Sequence, residues 1–189
     1  MTYYGGKDLA AAFRTVRGNT IKIAEEIPES QYDFKPAPDC RSVRETLAHI
    51  AVSTSFQSHV HVNKISDMKT VNFMELFQKF STEENKPRTK AELIGFLKSE
   101  GDTFAAFLEG LQEPFLSEQV TMPPGAPQPS KVRFEMLMSA KEHEMHHRGQ
   151  LMTIERMIGQ VPHLTRQMQE RFAQMQQAAA GQTAGQAAR

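Results

Sequence analysis

Hydrophobic residues recur at helical spacing in four long stretches of this chain. The stretches span about residues 7–27, 42–63, 89–110 and 131–159, and in each the apolar positions return every three or four residues. This period places the apolar side chains on one face of a helix, and that face has to be buried against another element. The pattern therefore predicts an all-α fold, a four-helix bundle whose polar faces are turned to solvent.

Two of the predicted helices carry start signals. Ser42 is followed three residues later by Glu45, and Thr89 is followed three residues later by Glu92. A serine or threonine at the N-cap with a glutamate at this distance forms a capping box, which satisfies backbone N–H groups of the first turn. We therefore place the starts of the second and third bundle helices at these positions.

The segments between and after the four helices are less regular. Residues 73–80 contain apolar positions that favour a short extra helix or a lid. The proline-rich residues 113–130 predict a long loop before the last bundle helix, with one brief strand at 120–122 and no other β structure in the chain. From residue 163 the chain becomes polar, and its end, rich in Gln, Ala and Gly, predicts a short helix followed by disorder over 178–189.

Clustered histidines in the last bundle helix suggest a metal site. The chain has seven histidines, and three of them are His143, His146 and His147. The first and last of these lie one helical turn apart, on or beside the stripe that continues to Leu151 and Ile154, whereas the middle one lies on a more polar flank. Because burying polar groups without partners is costly, an inward-facing histidine pair is best explained by a bound cation.

His49 is the candidate for a third ligand, because it lies on a largely apolar face of the second predicted helix. A catalytic zinc-type site has about three protein ligands and one open position, so we expect His49 to meet His143 and His147 inside the bundle. His59 and His61 lie near the end of the same helix. The helix dipole favours histidines there, and we expect both to be ordinary surface residues.

Two other metal-site patterns compete with this interpretation. His143, Glu144 and His147 also spell the His-Glu-x-x-His pattern of zinc proteases, in which the glutamate is the general base. That class needs a downstream third ligand, for which Glu155 and Glu170 are available, and a supporting sheet, for which strand signals are missing. A carboxylate-bridged di-iron bundle needs two Glu-x-x-His pairs, and this chain supplies only one.

Composition narrows the range of partners. The chain has 189 residues, which suits one domain with a real core, and its formal net charge is zero with no basic stripe, which argues against general nucleic-acid binding. Cys40 is the only cysteine, so no intramolecular disulfide is possible, and we expect a cytoplasmic protein. No apolar run approaches the length of a membrane span, so we expect no membrane partner.

Two segments resemble a known family. Residues 42–50 read SVRETLAHI and residues 143–151 read HEMHHRGQL. Their order and separation resemble the two signatures of the DinB-like (YfiT-like, damage-inducible) family, and the resemblance covers about residues 5–160. It implies a four-helix bundle, often dimeric, that holds a divalent metal through three histidines. Carried over by position, the ligands are His49, His143 and His147, and His146 takes the place of a frequent non-ligand histidine.

This chain departs from the family pattern in two respects. Family members often have an aromatic residue just before the second helix, where this chain has Cys40 and Arg41, and the polar tail is additional. The first departure concerns substrate contacts, and neither touches the expected ligands. We therefore divide the chain into a metal-binding four-helix-bundle domain, residues 1–162, and a tail, residues 163–189.

The resemblance also implies a function. Characterised relatives include thiol-dependent S-transferases and a mycothiol-dependent isomerase. The leading hypothesis is an enzyme that uses a divalent ion (zinc, nickel or iron) to join a low-molecular-weight thiol to a small electrophile, and a metal-dependent hydrolase is a variant of it. Glu144 and Arg148 are candidate catalytic residues, although Arg148 has an alternative role as partner of a carboxylate such as Glu45. The other class is a non-catalytic metal-binding or stress-response interaction protein, and in either class we expect a homodimer.

Overall fold

Helices dominate the structure, as the periodicity predicts. The computed structural model describes residues 4–187, with side chains as far as residue 179. This part contains seven α-helices: α1 (Gly6–Glu26), α2 (Val43–Val62), α3 (Phe73–Glu84), α4 (Lys90–Glu109), α5 (Glu113–Leu116), α6 (Arg133–Met157) and α7 (His163–Ala187). Two short strands, β1 (Gln119–Thr121) and β2 (Ser130–Val132), form a hairpin, and 3₁₀ turns lie at Glu29–Gln31 and Met68–Thr70.

The bundle consists of α1, α2, α4 and α6. The first two helices of this set each pack against both α4 and α6, so the order around the bundle is α1, α4, α2, α6. Because α2 and α6 are adjacent, the predicted ligands, which are divided between these two helices, can lie close together. The fold class predicted from the sequence, an all-α four-helix bundle, is confirmed.

The bundle core has two apolar layers, one toward each end. One layer packs Leu47 and Ile50 against Leu97 and Leu151. The other is built around an edge-to-face contact between the rings of Phe13 and Phe104, whose centroids lie 5.0 Å apart, together with residues such as Leu108 and Leu137. A third cluster joins the end of α2 to α3 and the hairpin, through residues that include Val60, Met68, Leu76, Val120 and Met136.

A buried ion pair crosses the core. The Nε of Arg17 donates to both carboxylate oxygens of Glu144 at 3.0 Å, and its Nη1 donates to the carbonyl of Leu97 at 2.7 Å. Gly101 on α4 makes room for this arginine, since a Cβ at that position would lie 2.8 Å from the Cγ of Arg17. The pair therefore ties α1 to α6, and it fixes the rotation of α6 within the bundle.

Both predicted capping boxes are present. The backbone N–H of Glu45 donates to the hydroxyl of Ser42 at 3.2 Å, and the backbone N–H of Ser42 donates to the carboxylate of Glu45 at 2.7 Å. Thr89 and Glu92 make the equivalent two bonds at 2.7 and 3.3 Å. The local start signals read from the sequence are therefore correct at both helices.

The region before α6 differs from the prediction. Residues 113–130 are not a single loop, because Glu113–Leu116 form α5. The brief strand expected at 120–122 pairs with Ser130–Val132, so the expectation of no further β structure is wrong, and α6 begins at Arg133. A strand this short gains its order from pairing with its neighbour, which a local sequence pattern does not reveal.

The tail also differs from the prediction. After Pro162 the helix α7 continues to Ala187, and every side chain from residue 166 to residue 179 is exposed. This segment is rich in Ala, Gln, Glu, Arg and Met, which are strong helix formers, so local propensity extends the helix beyond the short one expected. The last two residues of the predicted disordered end lie outside the described residues, and the division of the chain at residue 162 stays a prediction. Among the described residues, no helix combines the length and apolarity that a membrane crossing requires.

Candidate metal centre

Three imidazole rings converge between α2 and α6. The Nε2 of His143 lies 3.1 Å from the Nε2 of His49 and 3.2 Å from the Nε2 of His147. The candidate donor atoms of all three residues lie within 4.8 Å of one another. The structure thus brings together the three residues that the sequence singled out.

The spacing of these nitrogens suits a metal ion. In a tetrahedral site with metal–nitrogen bonds of about 2.0–2.1 Å, neighbouring ligand nitrogens lie about 3.3–3.4 Å apart. The two measured Nε2–Nε2 distances, 3.1 and 3.2 Å, are close to that separation. Among the described residues, no fourth histidine, cysteine or carboxylate joins the group. Three nitrogen donors without a fourth protein ligand therefore fit a divalent cation that keeps an accessible position.

Hydrogen bonds on the far side of two rings select the tautomer that such a site needs. The Nδ1 of His49 lies 2.9 Å from a carboxylate oxygen of Glu84, and the Nδ1 of His147 lies 2.8 Å from the amide oxygen of Gln150. Both oxygens accept, so each Nδ1 carries the hydrogen and each Nε2 presents a lone pair. Partners of this kind orient metal-ligating histidines in proteins. The buried Nδ1 of His143 has no hydrogen-bond partner in the described part of the chain.

Burial keeps the rings of His143 and His147 neutral. Burial, and then the neighbouring imidazoles, lower the pKa of His143 to about 4. Burial also lowers the pKa of His147, although its hydrogen bond with Gln150 acts in the opposite direction. Burial alone raises the pKa of Glu84, but its hydrogen bond with His49 and the charge of Arg41 outweigh that and leave it below its ordinary value. Near pH 7, His143 and His147 therefore offer neutral imidazoles beside the ionised carboxylate of Glu84, which are protonation states that metal binding requires.

The two candidate catalytic residues, Glu144 and Arg148, differ in their hydrogen bonding. The carboxylate of Glu144 is directed into the core, where it accepts from Arg17. The Nε of Arg148 is buried and finds no partner among the described residues, while Glu45 pairs with Lys35 and not with Arg148. A catalytic role for either residue stays a prediction.

The zinc-protease pattern gains nothing from this geometry. Its general base, Glu144, faces Arg17, and its possible downstream ligands, Glu155 and Glu170, are absent from the histidine group. The β structure in the described residues is a two-stranded hairpin with three residues in each strand. The arrangement is that of a bundle site built across two neighbouring helices.

The prediction that His61 is a surface residue is wrong. Its side chain is 1% exposed, with Nδ1 lying 3.3 Å from Nη1 of Arg133 and Nε2 lying 3.2 Å from the amide oxygen of Gln57. Burial, with a smaller contribution from Arg133, lowers the pKa of His61 to about 4. The hairpin and the Met68–Thr70 turn cover this end of α2, and that cover is a tertiary feature that the helix pattern alone does not show.

Two residues that hold the rings were missed at the sequence level. Gln150 follows His147 by three positions, a spacing at which helix side chains are neighbours, so its contact could have been inferred. Glu84 is 35 residues away from His49, at the end of α3, and nothing in the local sequence links the two. Their contact depends on how α3 packs against α2.

Two cavities border the histidine group. One, of about 900 Å³, is bordered by His147 and by charged and polar residues of the loop before α2, such as Lys35, Asp39 and Arg41. The other, of about 700 Å³, is bordered by His49 and His143 and by the aromatic face of α3. Small molecules can therefore reach the site through either cavity.

The fold and this site define a class, a four-helix-bundle protein with a histidine triad between neighbouring helices. A sequence model of the DinB superfamily matches residues 12–151. The match covers well over half of the chain, and the protein belongs to the DinB superfamily. The family expected from the two sequence segments is confirmed.

Relatives and solved structures agree with this membership. The uncharacterized protein YjoA of Bacillus subtilis is 28% identical over 151 residues, which cover 80% of this chain and 89% of that protein. The crystal structure of the DinB-like YjoA has a TM-score of 0.61 at 25% identity, covering 81% of this chain and 92% of that one. YfiT of the same organism, described as a probable metal-dependent hydrolase with an unusual four-helix bundle topology, has a TM-score of 0.64 at 13% identity, with coverages of 85% and 91%.

A further solved structure, the colibactin self-resistance protein ClbS in complex with double-stranded DNA, is similar at the level of the fold. Its TM-score is 0.56 at 17% identity, and the match covers 80% of this chain and 97% of that one. At 13% and 17% identity, YfiT and ClbS show the fold that this chain shares and not its chemistry.

Proposed function

We propose that this protein is a divalent-metal-dependent enzyme in which His49, His143 and His147 hold the ion, and that it joins a low-molecular-weight thiol to a small electrophile. The observation that carries the proposal is the convergence of three imidazole nitrogens at the junction of two cavities. An enzyme of this kind needs about three protein ligands and a position that substrate can reach, and the three convergent nitrogens beside two cavities support both parts of the proposal.

The residues of the chain have distinct tasks in this proposal. A divalent ion held by neutral imidazoles supplies positive charge that lowers the pKa of a thiol or a water molecule at neutral pH. Glu84 and Gln150 hold the rings of His49 and His147 through their Nδ1 atoms, so that each Nε2 faces the same point. Arg17 holds Glu144, which lies between the two ligands of α6 in sequence, and thereby keeps that helix turned toward α2.

The proposed reaction is a substitution at carbon. The thiol loses its proton to solvent, and the sulfur lone pair forms a bond to the electrophilic carbon. The bond from that carbon to the leaving group, for example a halide, breaks, and the leaving group departs with the bonding electrons. The enzyme contributes proximity and orientation by holding both reactants beside the histidine group.

A metal-dependent hydrolase is the second candidate. The cavity bordered by His147 is lined by polar and charged side chains, so it admits water directly to the triad. A hydrolase would use the same lowered pKa, with water in place of the thiol. YfiT, which is described as a probable metal-dependent hydrolase, shares the fold of this chain.

The non-catalytic alternative is less well supported. A structural or sensing metal site is usually closed by a fourth protein ligand. The triad has no fourth protein ligand among the described residues and borders two cavities, and this arrangement favours an enzyme. We retain a homodimer, a cytoplasmic location and a small-molecule substrate as proposals. The zero net charge supports the proposal that nucleic acid is not its partner.

Metal analysis and a conjugation assay test the proposal together. The protein is loaded with zinc, nickel or ferrous iron, desalted, and assayed by elemental analysis beside His147→Ala and the control His59→Ala. We expect about one ion per chain in the wild type and in His59→Ala, and little in His147→Ala. His59 is a suitable control because it lies on α2 outside the triad.

Turnover is then measured with small thiols and a reactive aryl or alkyl halide, and separately with activated esters and amides. Conjugation that requires the ion supports the transferase, and ester or amide cleavage without conjugation supports the hydrolase. Full occupancy without turnover of any substrate would contradict an enzymatic role. Equal metal content in His147→Ala and the wild type would contradict the proposed ligands.

A further inference from the structure

The two cavities beside the histidine triad differ in chemical character. The cavity of about 900 Å³ is bordered by both cationic and anionic side chains, among them Lys35, Asp39, Arg41 and Glu45, and it reaches the triad at His147. This polar cavity suits a hydrophilic molecule that carries carboxylate and ammonium groups, because it offers partners for both.

The second cavity, of about 700 Å³, is mainly apolar. Its walls are the α2 face at Val52 and Phe56 and the α3 face at Phe73, Phe77 and Phe80, and it reaches the triad at His49 and His143. Its volume lies within the range of about 300–1,000 Å³ that is typical of small-molecule sites. This apolar cavity suits a neutral, aromatic-sized molecule.

The exposure of α3 supports a binding role for the apolar cavity. Phe77 is 72% exposed and Met74 is 78% exposed, whereas Leu76 is the buried residue that anchors α3 to the rest of the protein. The rings of Phe56 and Phe73 stack with their centroids 6.3 Å apart, which gives the cavity a flat aromatic wall. Exposed aromatic side chains that border a cavity next to a ligand triad are positioned to cover a bound molecule.

The boundary between the cavities carries charge. Arg41 and Glu84 border both cavities, and the Nε of Arg41 donates to Glu84 at 3.3 Å. The other carboxylate oxygen of Glu84 accepts from His49. This charged pair therefore lies where the mainly apolar wall of one cavity meets the charged wall of the other.

We propose that the site binds two substrates at once, one in each cavity beside the triad: a neutral, aromatic-sized electrophile in the apolar cavity, and a hydrophilic thiol bearing carboxylate and ammonium groups in the polar cavity. This inference rests on the proposed function. The sulfur in the polar cavity forms the new bond to carbon in the apolar cavity, the leaving group departs with the bonding electrons, and the thiol proton passes to solvent. A product that joins a polar and an apolar half follows from this arrangement.

Simultaneous binding is tested with two probes on the zinc-loaded protein. The neutral fluorescent probe is N-phenyl-1-naphthylamine, and the polar probe is S-methylglutathione, a thioether that keeps the charged groups but has no free thiol to remove the ion. We expect both to bind, and saturating S-methylglutathione to change the Kd for the naphthylamine less than about twofold. Competition between the two probes, or no binding of either probe to the wild type, overturns the inference.

Matched variants assign each probe to its cavity. Phe77→Ser removes an exposed ring of the apolar cavity, and Phe172→Ser removes an exposed ring of α7 that borders none of the cavities described. We expect Phe77→Ser to weaken naphthylamine binding about fivefold and Phe172→Ser to leave it unchanged. Equal effects of the two substitutions would contradict the assignment of the apolar cavity.

Charge reversal tests the polar cavity in the same way. Lys35 pairs with Glu45, and Lys98 pairs with Glu25, and all four side chains are about half exposed. We expect Lys35→Glu to weaken S-methylglutathione binding about fivefold in calorimetric titration, and Lys98→Glu to leave it unchanged. Equal binding by Lys35→Glu and Lys98→Glu would overturn the assignment.

The binding readouts separate this inference from the proposed function. If the probes bind together and the variants sort as expected, but no thiol and electrophile are turned over, the proposed reaction fails while the two-cavity arrangement stands. If conjugation occurs but the probes compete, the reaction stands and the two-cavity arrangement fails. A transferase that meets both expectations shows a raised KM for the electrophile in Phe77→Ser and a raised KM for the thiol in Lys35→Glu.

Discussion

Glu144 and Glu155 lie on the same helix, α6, and neither has solvent-exposed surface. Glu144 accepts two bonds from Arg17, whose Nη1 continues the network to the carbonyl of Leu97. Both carboxylate oxygens of Glu155 lack a hydrogen-bond partner among the described residues. One helix thus carries a buried carboxylate with a cation and a buried carboxylate without one.

The difference shows that the middle and the end of α6 serve different needs. Glu144 stands between the proposed ligands His143 and His147 in sequence, and its ion pair with Arg17 ties that part of the helix to α1. Glu155 lies near the end of α6, where burial and the charge of Glu26 raise its pKa to about 7. Burial also raises the pKa of Glu144, but the charge of Arg17 opposes that rise. The carboxylate beside a cation therefore stays charged, whereas the unpaired carboxylate near the helix end is driven toward its neutral form.

The largest effect is expected from breaking the pair beside the site. Arg17→Met leaves Glu144 buried without a cation, and we expect a loss of about 3–5 kcal/mol in the free energy of unfolding at pH 7. Urea denaturation measures this loss. The control is Arg14→Met, at another arginine of α1. It breaks the half-exposed pair of Arg14 with Glu109 of α4 and should cost less than about 1 kcal/mol.

The double variant Arg17→Met/Glu144→Leu sharpens the test, because it removes both charges and should recover a large part of the loss. If Arg17→Met costs no more than Arg14→Met, the core pair does not have the role assigned to it here. In that case Glu144 would not depend on its cation, and it would not differ from the unpaired Glu155 in this respect.

The next effect has the opposite sign and depends on pH. The pKa of Glu155 is raised in the folded protein, so the folded state holds a proton that the unfolded chain releases at lower pH. This contribution to stability is present below the ordinary pKa of about 4.5 and is lost as pH rises through about 7. Glu155→Gln removes this dependence, and at pH 8 we expect it to be more stable than the wild type by about 1–3 kcal/mol.

Urea denaturation at pH 4.5 and pH 8, with chelator present throughout, measures the pH dependence. The two proteins should differ little at pH 4.5 and most at pH 8. Glu170→Gln on the exposed face of α7 is the control, and it should change neither value by more than about 0.5 kcal/mol. A variant at position 155 that is less stable than the wild type at pH 8 would show that the carboxylate is ionised and satisfied.

Some of these features can be predicted from the sequence, and the pairing of Glu144 cannot. The bundle helices and both capping boxes follow from local patterns, and so does the alignment of His143 with His147 one turn away. The contact of these two residues with His49 could be predicted from the sequence, because all three lie on apolar faces of predicted helices. The partner of Glu144 could not be predicted from the sequence, because Arg17 is 127 residues away along the chain.

The same limit applies around the site. Glu84 contacts His49 only because α3 packs on α2, and His61 is buried where α2 meets Phe115 of α5 and Arg133 of α6. Pairing in the hairpin likewise orders Ser130–Val132, a segment too short to give a strand pattern. Local signals predicted the helices and the meeting of the three histidines, whereas contacts made through the smaller elements depend on tertiary packing.

A third carboxylate, that of Glu84, contacts the histidine triad. Glu84 is partly exposed and accepts from Nδ1 of His49, so it acts on the ring and not on the stability of the core. Glu84→Gln removes the negative charge behind the ring, and we expect zinc affinity to fall about tenfold, the lower end of the range for such partners. Competition with a chromophoric chelator measures the change.

Glu83→Gln is the matched control for this change, because Glu83 lies next to Glu84 on α3 but pairs with Lys86 and Arg88. Zinc affinity should be the same in Glu83→Gln and the wild type. Equal losses in both variants would indicate a general effect of charge on α3, and no loss in Glu84→Gln would mean that the hydrogen bond to His49 does not influence metal binding.

The smallest expected effect concerns the space that α4 leaves for Arg17. In Gly101→Ala the new Cβ meets the Cγ of Arg17 at 2.8 Å, near the root of that side chain, so the buried pair with Glu144 has to shift. The cost of crowding exceeds the gain in helix propensity, and we expect a net loss of about 1 kcal/mol. Gly95→Ala on the same helix meets no atom within 4 Å, and it should stabilise the protein by about 0.5–1 kcal/mol. Urea denaturation of the two variants side by side gives opposite signs if the arginine is held rigidly beneath Glu144, and equal signs if it can move aside.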